Sequence, residues 1–272
     1  MWWRRRLLRR LRRHLRRAGE RLRLRLISAA NARVFSLGLE GFDAWIVALD
    51  GMPLAQPERL RDRLTLAPAQ RVDLIADVIE PGDEAFLITY ERNGGYAMAG
   101  FPVSGPAAAR RTAPDALPPN PAFDIDLAGA RSARLLMEGG AMGGMRGAQL
   151  KGEDLDARAL AMQNVFWAFN GAVGQMGDYG SGDPLIDLGL GESARIGIAN
   201  DTAFAHAMHL HGMHFAEVLP DGSLGPLRDT LLVEAGTFRE IAFAAHNPGD
   251  WLFHCHMLSH HAAGMGTWLR VG

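Results

Sequence analysis

Residues 253–265 read FHCHMLSHHAAGM. The segment holds the only cysteine of the chain, Cys255, between His254 and His256, and His260, His261 and Met265 follow it. With GDWL before it, it reads as a strand that ends in a loop. Neighbouring side chains on a strand point to opposite faces. Cys255 therefore looks one way, and His254 and His256 look the other. A second segment, HAMHLHG at 206–212, obeys the same rule: His209 and His211 share a face, and His206, three residues before His209, faces away from them. Parity thus makes two groups, His206 with Cys255, and His209 and His211 with His254 and His256. A lone cysteine is ordinarily a buried structural thiol, and a lone histidine on an apolar strand is ordinarily a core residue. Here nine of the ten histidines lie after residue 205 and none lies between 15 and 205, a clustering that scattered core histidines would not give.

The ligand chemistry follows from the groups. His260 lies five residues beyond the thiol and Met265 ten beyond, and a strand end with a short loop brings both back over Cys255. Two imidazoles, one thiolate and a weak thioether are the donors of a blue-copper electron-transfer site, and a bound metal keeps the thiol ionised. The second group, four imidazoles without a thiolate, suits copper or zinc. The peptide bonds flanking Cys255 join the two groups, so an electron arriving at the sulfur has a short covalent route to the histidine cluster.

Around these motifs the chain reads as all-β. RLRLRLIS at 21–28 alternates strictly, AWIVALDGMPL carries an Asp-Gly turn at Asp50 and Gly51, RLTLAPAQRVDLIADV gives two short strands around Pro68, and EAFLITYER ends at an Asn93–Gly95 turn. Residues 104–127, rich in Pro, Ala and Arg, read as a linker. After it, SARIGIANDT, HAMHLHGMHFAEVL, DTLLVEAGTFREIAFAA, GDWLFHCHM and GTWLRVG read as strands. The expected organisation is an Arg-rich leader at 1–18, helical or disordered, a first sandwich at 19–103, the linker at 104–127 and a copper-binding sandwich at 128–272.

Net charge is -1 for 272 residues, which gives no reason to expect a nucleic-acid partner, but the first 17 residues hold nine arginines and no acid. Removing those nine leaves 20 basic residues against 30 acidic ones. Twin arginines here lack the apolar stretch of an export signal. Leu7, Leu8, Leu11 and Leu15 share one helical face, as in an amphipathic arm; the competing reading is a misplaced start in GC-rich coding sequence, which the single lysine, Lys151, against 28 arginines fits. A single cysteine precludes an internal disulfide, and no stretch approaches the roughly 18 apolar residues of a transmembrane helix.

The two histidine motifs resemble the C-terminal copper motifs of the multicopper oxidases, H-P-x-H-x-H-G and H-C-H-x3-H-x4-M, with Ala207 in place of the proline. WAFNGAVG, GDPLIDLGLGE, NDTAFAHAMHLHG, LRDTLLVEAG and NPGDWLFHCH resemble the last cupredoxin domain of that family, and RLRLISAANARVFSLGLEGFDAWIVALDGMPL and LAPAQRVDLIADV resemble its middle domain. The resemblance implies two tandem cupredoxin-like Greek-key sandwiches, the first incomplete. It implies type 1 copper on His206, Cys255, His260 and Met265, type 2 copper on His209, and the type 3 pair on His211, His254 and His256. It implies electron transfer through Cys255 to His254 and His256, a phenolic, aromatic-amine or Cu(I) reductant, dioxygen as acceptor and a periplasmic or other extracytoplasmic location. Two H-x-H pairs that complete the family's cluster are not in this chain, so a separate chain supplying them is one expected partner. A copper-binding electron carrier with a type 1 site alone, or an inactive truncated product, are the alternatives.

Other residues carry weaker expectations. Met137, Met142 and Met145 sit in a glycine-rich stretch, MEGGAMGGM, expected to be a mobile loop rather than a Cu(I) site. Asp229 either orients a reductant or a ligand histidine or caps a turn. His214 and His261 are expected beside the ligands or at the surface, and His246 in a turn.

Overall fold

The structure, a computed structural model, describes residues 16–79, 84–106, 108–140, 144–174, 177, 180 and 182–272. The chain divides into two compact units, the first formed mainly by residues up to Asn120 and the second by Pro121–Gly272 together with Ala29–Arg33 and Pro68–Gln70. The first contains β1 (Arg16–Arg17), β2 (Arg21–Ile27), β3 (Phe35–Glu40), β4 (Phe42–Leu49), β5 (Met52–Arg59), β6 (Leu64–Leu66), β7 (Arg71–Val78), β8 (Glu84–Glu91) and β9 (Gly94–Ser104). They form two sheets, in the orders β1-β9-β8-β3-β6 and β2-β7-β4-β5.

The alternation in β2 explains its place. Leu22, Leu24 and Leu26 pack into the apolar interior with Val72, Leu74 and Val78 of β7. The intervening arginines face outward, where Arg21 binds Asp77 at 2.7 Å and Arg23 binds Asp73. Charges on an edge strand also discourage pairing with another chain. Asp50 and Gly51, both at positive φ (48° and 85°), make the two-residue turn between β4 and β5. The β8–β9 turn is Arg92–Asn93, one residue earlier than the Asn-Gly-Gly signal suggests, because Gly94 and Gly95 already pair with Glu91 and Tyr90. The leader expectation needs correction at its end: Arg16 and Arg17 are neither helical nor disordered but pair in parallel with Val103 and Ser104, and Ala18 packs on the Leu22, Val78, Ala85 and Val103 cluster. Residues 1–15 and Met142 lie outside the described residues.

The second unit contains β10 (Arg131–Gly139), β11 (Gly147–Leu150), β12 (Glu153–Asp156), α1 (Ala157–Met162), β13 (Trp167–Phe169), β14 (Asp187–Leu188), β15 (Ser193–Asn200), β16 (His206–Leu210), β17 (Ala216–Glu217), β18 (Thr230–Val233), β19 (Phe238–Ala244), β20 (Gly249–Cys255), α2 (Leu258–Ala262) and β21 (Gly266–Val271). Two five-stranded sheets, ordered β13-β10-β15-β19-β17 and β14-β21-β20-β16-β18, form a sandwich whose buried side chains include Phe215, Phe243 and Phe253. Linker residues are held in place: Asp126 N–H donates to Ser193 Oγ at 2.9 Å, and Phe123 stacks on His246 with centroids 4.0 Å apart. The methionine expectation also needs correction. Met137 is fully buried in β10, and Met145 packs against the Ala148, Leu150, Leu160, Val165 and Ala168 cluster, so both serve the core. No helix among the described residues is long and apolar enough to cross a membrane.

Candidate metal centre

Strand pairing delivers the two ligand groups. β16 and β20 run antiparallel with His209 opposite His254 and Met208 opposite Cys255, and directly opposed residues project on the same face. His206, Met208 and Cys255 therefore face one side, and His209 and His254 the other. The loop expected to return His260 over the thiol is a single helical turn, α2. Met257 O accepts from His260 N–H at 2.9 Å and from His261 N–H at 3.1 Å. Successive residues of one turn thus serve different faces: His260 reaches Cys255, while the ring of His261 lies 4.3 Å from that of His254. Leu258 N–H, at the start of the turn, donates to Asn31 O at 2.9 Å.

On the first face, Cys255 Sγ lies 3.6 Å from His206 Nδ1 and 3.8 Å from His260 Nδ1, and the two nitrogens are 3.1 Å apart. Metal–nitrogen and metal–sulfur bonds of about 2.0 and 2.3 Å at trigonal angles place nitrogen and sulfur about 3.8 Å apart and two nitrogens about 3.5 Å apart. The three donors fit one ion with little movement, and His2Cys with a trigonal arrangement is a copper donor set. Met265 is fully buried, donates its N–H to His260 O at 3.0 Å and accepts Cys255 N–H at 3.1 Å. Trp167, which the sequence reading did not single out, walls the site: its ring meets His206 edge-on at 5.0 Å and His260 at 4.6 Å, with Phe204 edge-on at 5.8 Å. Thr202 and Asn200, also missed, lie behind His206, with Thr202 Oγ1 2.8 Å from His206 Nε2. The only sequence cue for them is the Asn-Asp-Thr turn four residues before the ligand strand.

On the second face, one ligand atom from each of His209, His211 and His254 falls within 4.8 Å of the others, and His211 Nε2 lies 3.1 Å from His254 Nε2. His209 Nδ1 lies 3.0 Å from Asp229 O and from Thr230 Oγ1, and Thr230 donates to the Asp229 carboxylate at 2.8 Å. Asp229 thus lies against His209, through its main-chain carbonyl and through Thr230. His254 Nδ1–H donates to Cys255 O at 2.9 Å, leaving Nε2 toward the cluster. The His256 ring is 5.5 Å from the rings of His209 and His254 but its ligand atoms fall outside the converging set. A cavity of about 370 Å³ opens onto this face, lined by His209, His211, His214, Asp229 and Trp251. His246, stacked on Phe123 with Nδ1 3.0 Å from Ala244 O, belongs to neither group.

Burial sets the protonation states. Desolvation, with repulsion from His260, pushes His206 down to about 3, and desolvation, with repulsion from His261, does the same to His254. Burial pushes the Cys255 thiol up to about 12. The two imidazoles are therefore neutral, and metal uptake at Cys255 would have to displace the thiol proton. The metal-free protein should lose stability as pH falls from about 6.5 towards 3, because over that window the unfolded chain binds imidazole protons that the native state refuses. It should lose stability again above about 9, where the unfolded thiol ionises and the native one does not. Denaturant melts of metal-free protein from pH 4 to 10 test this, and a flat profile between pH 6.5 and 4.5 would contradict the burial of His206 and His254.

Residues 150–272 and 14–100 each match a sequence-family profile described as multicopper oxidase. The chain belongs to the multicopper oxidase family. Among curated proteins it is 29% identical over 250 residues to multicopper oxidase MmcO of Mycobacterium tuberculosis, which covers 92% of this chain and 46% of that protein. Among solved structures it is similar to Lac15 from a marine microbial metagenome, at 39% identity and TM-score 0.70 over 95% of this chain and 56% of the other. It is also similar to a multi-copper oxidase from Pseudomonas thermotolerans, at 28% identity and TM-score 0.74 over 95% and 57%. The chain spans about half the length of these relatives. The family implies copper, and His206, Cys255 and His260 form a group consistent with a type 1 site.

Proposed function

We propose that this chain is the electron-accepting and electron-passing part of a multicopper oxidase. Copper on His206, Cys255, His260 and Met265 would supply one-electron redox chemistry, and copper on His209, His211, His254 and His256 would supply the binding and reduction of dioxygen. The protein's own part is the connection. Cys255 is joined to His254 and His256 by peptide bonds, and the His254 Nδ1–H···O=C bond of Cys255 adds a 2.9 Å shortcut to the first of them. The single observation that carries this reading is that one sulfur meets two ring nitrogens on one face while its sequence neighbour meets two other imidazoles on the opposite face. In the overall reaction four reductant molecules each give one electron, and dioxygen with four protons becomes two waters. Phenols, aromatic amines and Cu(I) are the reductant classes, and the family supports an extracytoplasmic location. The trinuclear centre needs further imidazoles beyond the four of this chain, from a preceding domain or a separate chain.

The convergence of only three ligand atoms at the second group favours one alternative, a copper electron carrier with the thiolate site alone. Copper loading of the purified chain, alone and joined or mixed with a domain that supplies the further imidazoles, followed by absorption and oxygen-uptake measurements, separates the two. A blue thiolate band with oxygen uptake on adding a phenolic reductant supports the oxidase. A blue band that bleaches with reductant and consumes no oxygen supports the carrier. A colourless copper-loaded chain refutes both.

A further inference from the structure

We infer that Thr202 is a positioning residue of the thiolate site: by accepting a hydrogen bond from His206 Nε2–H, it fixes the ring tautomer and commits Nδ1 to the metal. This deepens the copper reading above and rests on it. The assignment follows from counting protons along a buried chain of groups. Asn200 Nδ2 donates to Phe204 O at 2.8 Å, Glu234 O at 3.0 Å and Val233 O at 3.1 Å. Three carbonyls around one nitrogen fix the amide orientation, so Asn200 Oδ1 is the atom facing Thr202 and can only accept.

Thr202 N–H reaches Oδ1 at 3.1 Å and the Thr202 hydroxyl reaches it at 2.7 Å. A hydroxyl has one proton, and the two carbonyl acceptors beside it, Asn200 Oδ1 at 2.7 Å and Phe204 O at 3.1 Å, leave none for the imidazole. The 2.8 Å contact between Thr202 Oγ1 and His206 Nε2 therefore requires the proton on Nε2. In a neutral ring that leaves Nδ1 bare, and Nδ1 is the atom facing Cys255 Sγ and His260 Nδ1. Asn200, Thr202 and His206 are all buried, so water does not substitute for the missing partner if the hydroxyl is removed. Trp167, edge-on to the same ring, supplies the second restraint on its plane.

Thr202→Val keeps the shape and removes the acceptor, while Thr202→Ser keeps the acceptor. Nitrogen-15 spectra of the metal-free full chain report the tautomer directly. Wild type and Thr202→Ser should show His206 protonated at Nε2, and Thr202→Val a mixture of the two tautomers. Copper extraction by a competing chelator should show affinity reduced about 10- to 100-fold in Thr202→Val, the usual cost of losing a partner behind a ligand histidine, with Thr202→Ser close to wild type. A bare Nε2 in the wild-type spectrum overturns the inference whether or not any variant folds. So does a Thr202→Val protein that holds copper as tightly as wild type with an unchanged blue band. If the wild-type spectrum shows Nε2–H but the chain takes up no copper, the copper reading fails and the tautomer assignment stands.

Discussion

Cys255→Ser should abolish the blue colour of the copper-loaded chain, lower copper retention at the His206–His260 site well beyond the roughly 100-fold cost of losing a supporting hydrogen bond, and stop reductant-driven electron delivery. The reasoning is local. Cys255 is completely buried, its sulfur is the one soft anionic donor the chain offers, and His206 and His260 meet it at 3.6 and 3.8 Å. Serine is nearly the same size, so the sheet should survive. Its hydroxyl stays protonated beside a metal far more stubbornly than a thiol, so two imidazoles and a thioether remain. Absorption spectra and copper per chain measure the first two effects, and thermal melting of metal-free protein should shift by only a few degrees. Retention of a blue band in Cys255→Ser would remove the basis for treating this sulfur as a ligand at all.

Gly264→Ala should be the most destabilising single methyl in the ligand loop. Gly264 has φ +123°, a conformation that side-chain-bearing residues rarely adopt, and a Cβ there would stand 2.1 Å from the backbone oxygen of Trp167. Backbone strain of about 1–3 kcal/mol and an unrelieved clash of similar size add to about 2–6 kcal/mol. For a chain of this size that lowers the melting midpoint by roughly 5–20 °C. The clash is with main chain, so no side-chain rotation relieves it. Relief must come from moving Trp167, which packs on both His206 and His260, or from moving Met265. Gly236→Ala is the control: φ is also positive, at +67°, but nothing lies within 4 Å of the new methyl, so only the backbone component remains. Equal melting shifts for the two variants would show that the contact with Trp167 is not decisive.

The division of histidines between two faces was legible because it rests only on the two-residue period of a strand, and β16 and β20 are regular where they pair, from Met208 to Leu210 against Phe253 to Cys255. The β4–β5 turn was legible for a similar reason, since Asp-Gly accepts positive φ at both places. The helical turn α2 was not. It is five residues long, too short to show a period of 3.6, and its first flanking residue, Met257, makes no side-chain cap. Met137 was misplaced because Gly139 and Gly140 follow it after a single glutamate, while the strand that holds it, β10, pairs with β15, whose partner residues lie some 60 positions away in sequence. The roles of Thr202, marked only by its Asn-Asp-Thr turn, and of Trp167 were hidden for the same physical reason: each touches His206 through a contact made only after the sandwich closes.

The single turn of α2 also sets a limit on how this chain can vary. Each residue of a helix advances about 100° around its axis. One added residue between Met257 and His260 would swing both imidazoles by that angle, turning His260 off the sulfur and His261 off His254, so a single codon insertion would disable both faces together. The turn at Asp221–Ser223, held by the Asp221 carboxylate and by main-chain bonds to Leu219 within the same hairpin, faces no such restriction. Length variation among descendants of this sequence should accumulate in the second place and be purged from the first.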